Sequence, residues 1–391
     1  MLSFENTEIA FKSKTNKDLN RAYWLFRIIG SPLIVKIGKW STNLALRLNL
    51  PIKNMVKKTI FKQFCGGETI SECDQTIETL GAFGVGTILD YSVEGQTSSE
   101  AFEQTTQEII GTILKAKKSK HIPFAVFKIT GISRFEILEK ANNDESQLTP
   151  IEKSELTQVE QRVDRICKEA FDAGIPVFID AEETWIQDII DRMAYRMMLV
   201  YNRERAIVFN TIQMYRHDRI DFLKKCIDQT KFDHIHYGIK LVRGAYMEKE
   251  RARALANGYE SPIQINKQAS DRDYDLALEI ILQHLDYLAL CAGTHNEQSS
   301  AYLTELLTKF KIEVSDKRIY FAQLLGMSDH ISYNLSSLFY NVAKYVPYGP
   351  VKEVMPYLLR RADENTSVAG QTSRELTLIT KEKERRKVIR K

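Results

Sequence analysis

No apolar run in this chain is long enough to cross a bilayer unaided. The best, Tyr23 to Val35, carries Arg27 and is broken at Gly30-Ser31-Pro32. Charge of one sign is scarce as well. With 55 Lys and Arg against 51 Asp and Glu, the net charge is +4, so bulk electrostatics give no argument for nucleic acid as a partner, and no zinc spacing or RNA-binding aromatic signature accompanies the basic residues. Cysteine is sparse: Cys65, Cys73, Cys167, Cys226 and Cys291 are scattered and odd in number, which suits free thiols in a reducing compartment. The opening MLSFENTEIAFKSK has no signal-peptide core, and Glu5 and Glu8 argue against a mitochondrial transit peptide. A cytoplasmic location is expected. No strand-like run is followed by GxGxxG; the Gly-rich GAFGVG at 81–86 precedes a strand and reads as a turn, which argues against a Rossmann dehydrogenase. His234 and His236 have no acidic residue to complete a metal site, and His217 reads as surface.

What is present is a repeated alternation. Hydrophobic residues make up 43% of the 391 positions, enough for a substantial core. From residue 84 onward, eight apolar, β-branched runs occur: GVGTILDYSVEG, PFAVFKITGI, IPVFIDAEE, AIVFNTIQMY, HYGIKLVRGAY, LALCAGTHN, IYFAQLLGM and NVAKYVPYG. Segments of helical period separate them. Eight strand–helix units predict an α/β fold, a (β/α)8 TIM-type barrel over 81–371. A doubly wound sheet competes, because the same alternation builds it. The polar stretch KANNDESQLTPIEKSE after the second strand reads as an insertion. Residues 1–80 read as a helical extension. The lysines between Lys36 and Lys62 recur among leucine, isoleucine and phenylalanine, which reads as a helix packed on the barrel with its lysines in water, or alternatively as an amphipathic membrane-surface face. Residues 372–391 form a charged tail, KEKERRKVIRK, expected to be a frayed helix or disordered end. Contact of this tail with anionic lipid competes with plain solvation.

Barrel active sites lie at the C-terminal ends of the strands. Here seven of the eight runs end in a titratable or amide group: Lys128, Asp180, Gln213, Lys240 with Arg243, Thr294-His295-Asn296, Gln323 and Tyr345. After the last run comes YLLRRADEN. Tyr357, Arg360, Arg361 and Glu364 are spaced zero, three, four and seven, so they share one helical face. The guanidinium fork grips carboxylate or phosphate in two-pronged fashion, and two adjacent arginines read as a clamp for an anion. A solvated, salt-bridged helix end is the plainer alternative. Pro356 implies that the helix starts or bends there. A lysine at a strand end, Lys128 or Lys240, also admits a Schiff-base lyase reading.

KLVRGAYMEKERARA, GTHN, QLLGM and YLLRRADEN, in that order and each at its strand end, resemble the proline dehydrogenase family, across about three-quarters of the chain. DYSVE and KLVRGAY resemble its stand-alone, monofunctional branch, with no aldehyde dehydrogenase domain following. The resemblance implies a barrel that binds FAD non-covalently, oxidises L-proline to (S)-1-pyrroline-5-carboxylate and passes electrons to a membrane quinone, with peripheral contact to the inner face of the membrane as a further implication. It assigns Arg360, Arg361 and Lys128 to the proline carboxylate, with Glu364 as counterweight, and Leu324, Tyr345 and Tyr357 to the walls around the ring. It makes Asp180 an organiser of the site and places Lys240 beside the reactive flavin nitrogen. Ala181, Gln213, Val242, Arg243, Gly244, Ala245, Thr294, His295, Asn296, Gln323 and Glu364 fall on positions that hold FAD. Gly244 reads as letting the backbone approach the cofactor, or as a strand-end turn. Met247 departs from the aromatic found there in some relatives. trans-4-Hydroxy-L-proline on the same barrel is the alternative substrate.

Overall fold

The computed structural model describes residues 2–31, 35, 36, 38, 53–93, 95–367 and 371–389, with only the backbone for 363–367, 371 and 372. All eight apolar runs become strands: β1 (Val85–Tyr91), β2 (Phe124–Phe127), β3 (Val177–Ile179), β4 (Val208–Gln213), β5 (Tyr237–Val242), β6 (Leu288–Gly293), β7 (Ile319–Leu324) and β8 (Val342–Tyr348). They close in sequence order into a barrel. The doubly wound sheet is thereby excluded, because an open sheet would leave two edges. Pairing is parallel throughout the described ladders; β1 aligns with β8 from Val85 opposite Val342 to Tyr91 opposite Tyr348. Strands β4 and β8 are buried at every residue, as a parallel strand covered on both faces requires, and this is why they read as continuous apolar runs.

Two compact units make up the chain, residues 1–94 with 323–391, and residues 95–322. In the second, Phe124 stacks on Phe178 with ring centroids 4.4 Å apart and meets Tyr320 edge-on at 4.8 Å. Gly238 of β5 lets this aromatic layer close, since a Cβ there would lie 2.4 Å from the Phe209 ring. The polar stretch 140–155 is helical: it finishes helix Phe135–Asp144, passes a short turn, and starts helix Pro150–Ala173 through a capping box between Thr149 and Glu152.

The first unit gathers both ends of the chain. Helix Asn16–Ile29, started by a Thr15–Asp18 capping box, buries Leu19, Ala22, Phe26 and Ile29 in a cluster with Phe61, Phe64, Leu358, Leu378 and Ile379. Beyond residue 370, where a frayed helix or a disordered end is expected, the chain forms helix Gln371–Ile389. Leu378 and Ile379 are buried on it, and Arg386 donates to the carbonyls of Phe11 and Lys14, both at 2.9 Å. Its charges therefore bridge to the N-terminal segment. Most of the lysine-rich stretch 36–62 lies outside the described residues. Among the described residues no helix is long and apolar enough to cross a membrane.

Candidate functional site

In the second unit the polar groups sit where the strand ends put them. Lys128 and Asp180 follow β2 and β3 by one residue, Gln213 ends β4, and Arg243 and Thr294 follow β5 and β6. Lys240 differs from the expectation: it lies inside β5, opposite Thr211 of β4 and Cys291 of β6. Its buried ammonium donates to Asp180 Oδ1 at 2.6 Å and stands 5.9 Å from the Phe178 ring centroid. A buried cation of this kind must be paired, and Asp180 supplies the pair. β3 thus carries the Phe178 ring within the strand and the counter-ion one residue past its end.

Arg243 is held on four sides. Asp271 accepts at 2.6 Å, Thr294 Oγ1 at 2.7 Å and Ser299 Oγ at 2.9 Å, while the Tyr274 ring lies 4.4 Å from the guanidinium carbon. The next residue explains the turn. Gly244 has φ +136°, and a Cβ there would lie 2.4–2.5 Å from the Tyr215 ring. Glycine is needed here by a packed protein side chain, as well as by any approach to a cofactor. Gly244 and Ala245 are exposed, and Val242 and His295 are half-buried. Asn296 is used by the fold itself, because its Oδ1 caps helix Glu297–Lys309, accepting from the backbone of Gln298 and Ser299.

A buried carboxyl that the motif reading passed over lies two residues beyond Asp180. Glu182 is 3% exposed and accepts from the Thr130 backbone N–H at 3.0 Å and from the Thr130 hydroxyl. Burial pushes it up to about 7, against the pull of those hydrogen bonds and of the Lys128 ammonium. Its backbone carbonyl accepts from Gln213 Nε2 at 2.8 Å, which fixes that amide, and Ala181 is half-buried between the two acids. The signal was visible in IDAEE and FKIT, as acids and a hydroxyl just past two strand ends. Glu250 is likewise fully buried and caps the start of helix Thr184–Tyr201 by accepting from Thr184 N and Oγ1 at 2.7 and 2.6 Å.

In the first unit, helix Met355–Ser367 carries the arginine pair. It starts at Met355, so Pro356 occupies a first-turn position, where a missing N–H costs nothing. Tyr357 and Arg361, one turn apart, are both buried, with the guanidinium carbon 5.1 Å from the phenol ring centroid; Arg360 is half-buried. Tyr357 also belongs to the apolar cluster beside Leu358 and Ala362, so this face is partly core. The Glu364 side chain lies outside the described ones. Tyr345 sits in the middle of β8 and not at its end, with its carbonyl taking the Leu325 N–H at 2.8 Å. Leu324 packs against the cluster, and Gln323 accepts from Ser332 Oγ at 2.7 Å. Beside Tyr345, Lys344 is fully buried. It donates to the carbonyls of Leu324 (3.3 Å) and Met327 and pairs with Asp329 at 2.9 Å.

The donor set of the second unit, with Lys240 and Arg243 as fixed cations and Gln213 and Thr294 beside them, has the chemistry to hold an electron-rich ring and its phosphates. Comparison with known proteins decides the lineage. A family model described as proline dehydrogenase matches residues 73–374. The chain belongs to the proline dehydrogenase family. It is 32% identical to "Proline dehydrogenase 1, mitochondrial" of Dictyostelium discoideum over 97% of this chain and 74% of that one. To the hydroxyproline dehydrogenase of Xenopus laevis it is 30% identical, over 98% and 90%. Among solved structures, proline utilization A (PutA) from Bdellovibrio bacteriovorus, inactivated by N-propargylglycine, superposes with a TM-score of 0.72 at 18% identity, covering 92% of this chain and 38% of that one. That likeness concerns the fold, and the chain spans little more than a third of the PutA polypeptide. Proline dehydrogenase family membership sets the Schiff-base lyase aside.

Proposed function

We propose that this protein is an FAD-dependent proline dehydrogenase that oxidises L-proline to (S)-1-pyrroline-5-carboxylate, the first step of proline breakdown. The observation that carries the reading is the family match over residues 73–374. FAD, bound non-covalently, supplies the hydride acceptor for the ring carbon next to nitrogen. The residues named for it are Ala181, Gln213, Lys240, Val242, Arg243, Gly244, Ala245, Thr294, His295, Asn296, Gln323 and Glu364. The fit rests on the anchored Arg243 and on Lys240, whose ammonium beside Asp180 is oriented and ready to stabilise negative charge on a reduced ring. Arg360, Arg361 and Lys128 are assigned to the proline carboxylate, and Leu324, Tyr345 and Tyr357 to the ring walls. Asp180 would keep Lys240 in place. Because the nitrogen lone pair assists hydride loss, the amine must be neutral when it reacts, and these residues need provide only binding, orientation and charge. A membrane quinone is the proposed acceptor, reached by a cytoplasmic protein through peripheral contact with the membrane's inner face.

trans-4-Hydroxy-L-proline is the second reading, favoured by the 30% identity to a hydroxyproline dehydrogenase. An anaerobic visible spectrum before and after L-proline tests both. Bleaching of an oxidised flavin band by proline supports the first. A band that bleaches only with hydroxyproline moves the assignment to the second, and a protein that neither carries nor takes up FAD defeats both.

A further inference from the structure

Helix Met247–Asn257 comes next after β5, yet it grips the segment that follows β3. Lys249 Nζ lies 2.9 Å from Glu183 Oε1. Glu250 accepts from Thr184 N at 2.7 Å and from Thr184 Oγ1 at 2.6 Å, and the Arg253 guanidinium carbon stands 4.3 Å from the Trp185 ring centroid. Three successive residues, 183 to 185, are thus held from one helix. The grip is unequal. The Lys249 side chain is 65% exposed, and an ion pair so placed contributes little. Glu250 is fully buried. A helix start is ordinarily capped by its own N-cap side chain, but Glu183, at that position, makes no side-chain cap bond among the described residues. The first-turn N–H is satisfied instead by a carboxylate 66 residues further along the chain.

Both joined segments carry groups assigned to the reaction. Thr184 comes four residues after Asp180, and Glu250 ten residues after Lys240. The same two segments also meet where Lys240 Nζ donates to Asp180 Oδ1 at 2.6 Å. Because β4 lies between β3 and β5, the Asp180–Lys240 and Thr184–Glu250 links both span it. We propose that Glu250 is a positioning residue: by tying the start of helix Thr184–Tyr201 to the segment after β5, it sets where Asp180 holds the Lys240 ammonium. The proposal rests on the reading that Lys240 faces the reacting ring of FAD. A cation aimed at developing charge works only at the right distance, and a misplacement of about 1 Å costs roughly 100-fold in rate. Without Glu250 the Thr184 N–H and hydroxyl lose their acceptor, and the turn from Asp180 to Thr184 loses its tie to the β5 side. The arginine pair assigned to the proline carboxylate is carried by another helix, so the loss falls on hydride transfer and leaves proline binding nearly intact.

The test is anaerobic stopped-flow reduction of the FAD-loaded, full-length protein by L-proline, which separates the limiting rate constant from the dissociation constant. In Glu250→Ala the limiting rate should fall about 10–100-fold while the dissociation constant moves less than about threefold. Glu250→Gln should stay within about threefold of the wild-type rate, because its amide can accept from Thr184 N and donate to the Thr184 hydroxyl. Thr184→Val, which keeps the N–H and loses the hydroxyl, should fall between the two, and it carries the test if Glu250→Ala does not fold and load FAD. A lower unfolding midpoint with an unchanged limiting rate makes Glu250 a helix cap and nothing more, and overturns the proposal. So does a Glu250→Gln protein as slow as Glu250→Ala, which would put the effect on charge. Wild-type flavin that neither proline nor hydroxyproline reduces defeats the proposed function itself, and this inference with it.

Discussion

At the scale of single residues, some of the proposed groups would work electrostatically and others sterically. Arg361 belongs to both, since its guanidinium is buried over Tyr357. Removing one prong of a charge-assisted clamp costs about 1.5–3 kcal/mol. Arg360→Met and Arg361→Met should therefore keep FAD bound while raising the Michaelis constant for proline roughly 10–100-fold; unchanged proline kinetics in both would remove the clamp assignment. Gly244 is steric. Its φ of +136° and the Tyr215 ring behind it make Gly244→Ala costly by about 2–4 kcal/mol, visible as a lower unfolding midpoint and reduced flavin content. The glycine itself was legible in KLVRGAY, but its packing partner was not, because Tyr215 comes from a different strand's end. The same holds for Asp180 and Lys240. Each was legible as a polar residue near a strand end, whereas their pairing needed the β3–β4–β5 order that only the closed sheet supplies.

At the scale of elements, periodicity carried the strands, because a parallel strand covered on both faces has to be apolar along its length. It carried the YLLRRADEN helix too, with Pro356 in the tolerated first turn. Side chains on β8 were harder to place. The sequence pattern puts Tyr345 at a strand end, but it lies mid-strand, since Pro347 and Tyr348 continue the ladder opposite Asp90 and Tyr91. Its neighbour Lys344 was passed over inside an apolar run. Burial pushes the Asp329 carboxyl up, but Lys14 and Lys344 outweigh burial and hold it at about 2. A carboxyl depressed on folding stabilises above its unfolded value and loses that contribution as pH falls through the folded one. The wild-type chain should accordingly lose stability between about pH 4 and pH 2 through this group, and Asp329→Asn should flatten that part of the profile. At neutral pH Asp329→Asn should cost about 3–5 kcal/mol, because the buried Lys344 ammonium and the half-buried Lys14 lose their carboxylate. Thermal unfolding across pH for both proteins checks sign and size.

At the scale of the whole molecule, the two chain ends share one unit, and helix Gln371–Ile389 lies along helix Asn16–Ile29. The charge run KEKERR suggested a solvated tail, but charge counts do not reveal that Leu378 and Ile379 sit on the covered face, or that Glu382 pairs with Arg385 and Arg386. Leu378→Asp should cost several kcal/mol, on the order of a buried leucine lost with a charge left unpaired, and should open the first unit to protease before residues 95–322. Cleavage starting within 95–322 would contradict the docking. The pairing of β1 with β8 has a further consequence, for synthesis. Roughly 250 residues separate Val85 from its partner Val342, so at about 5–20 residues per second a strand made early waits some tens of seconds for its neighbour to leave the ribosome. Residues 95–322, contiguous in the chain, have no such wait. GVGTILDY, apolar and with one edge unclaimed, is then the stretch of the nascent chain where a trigger-type chaperone would be needed longest.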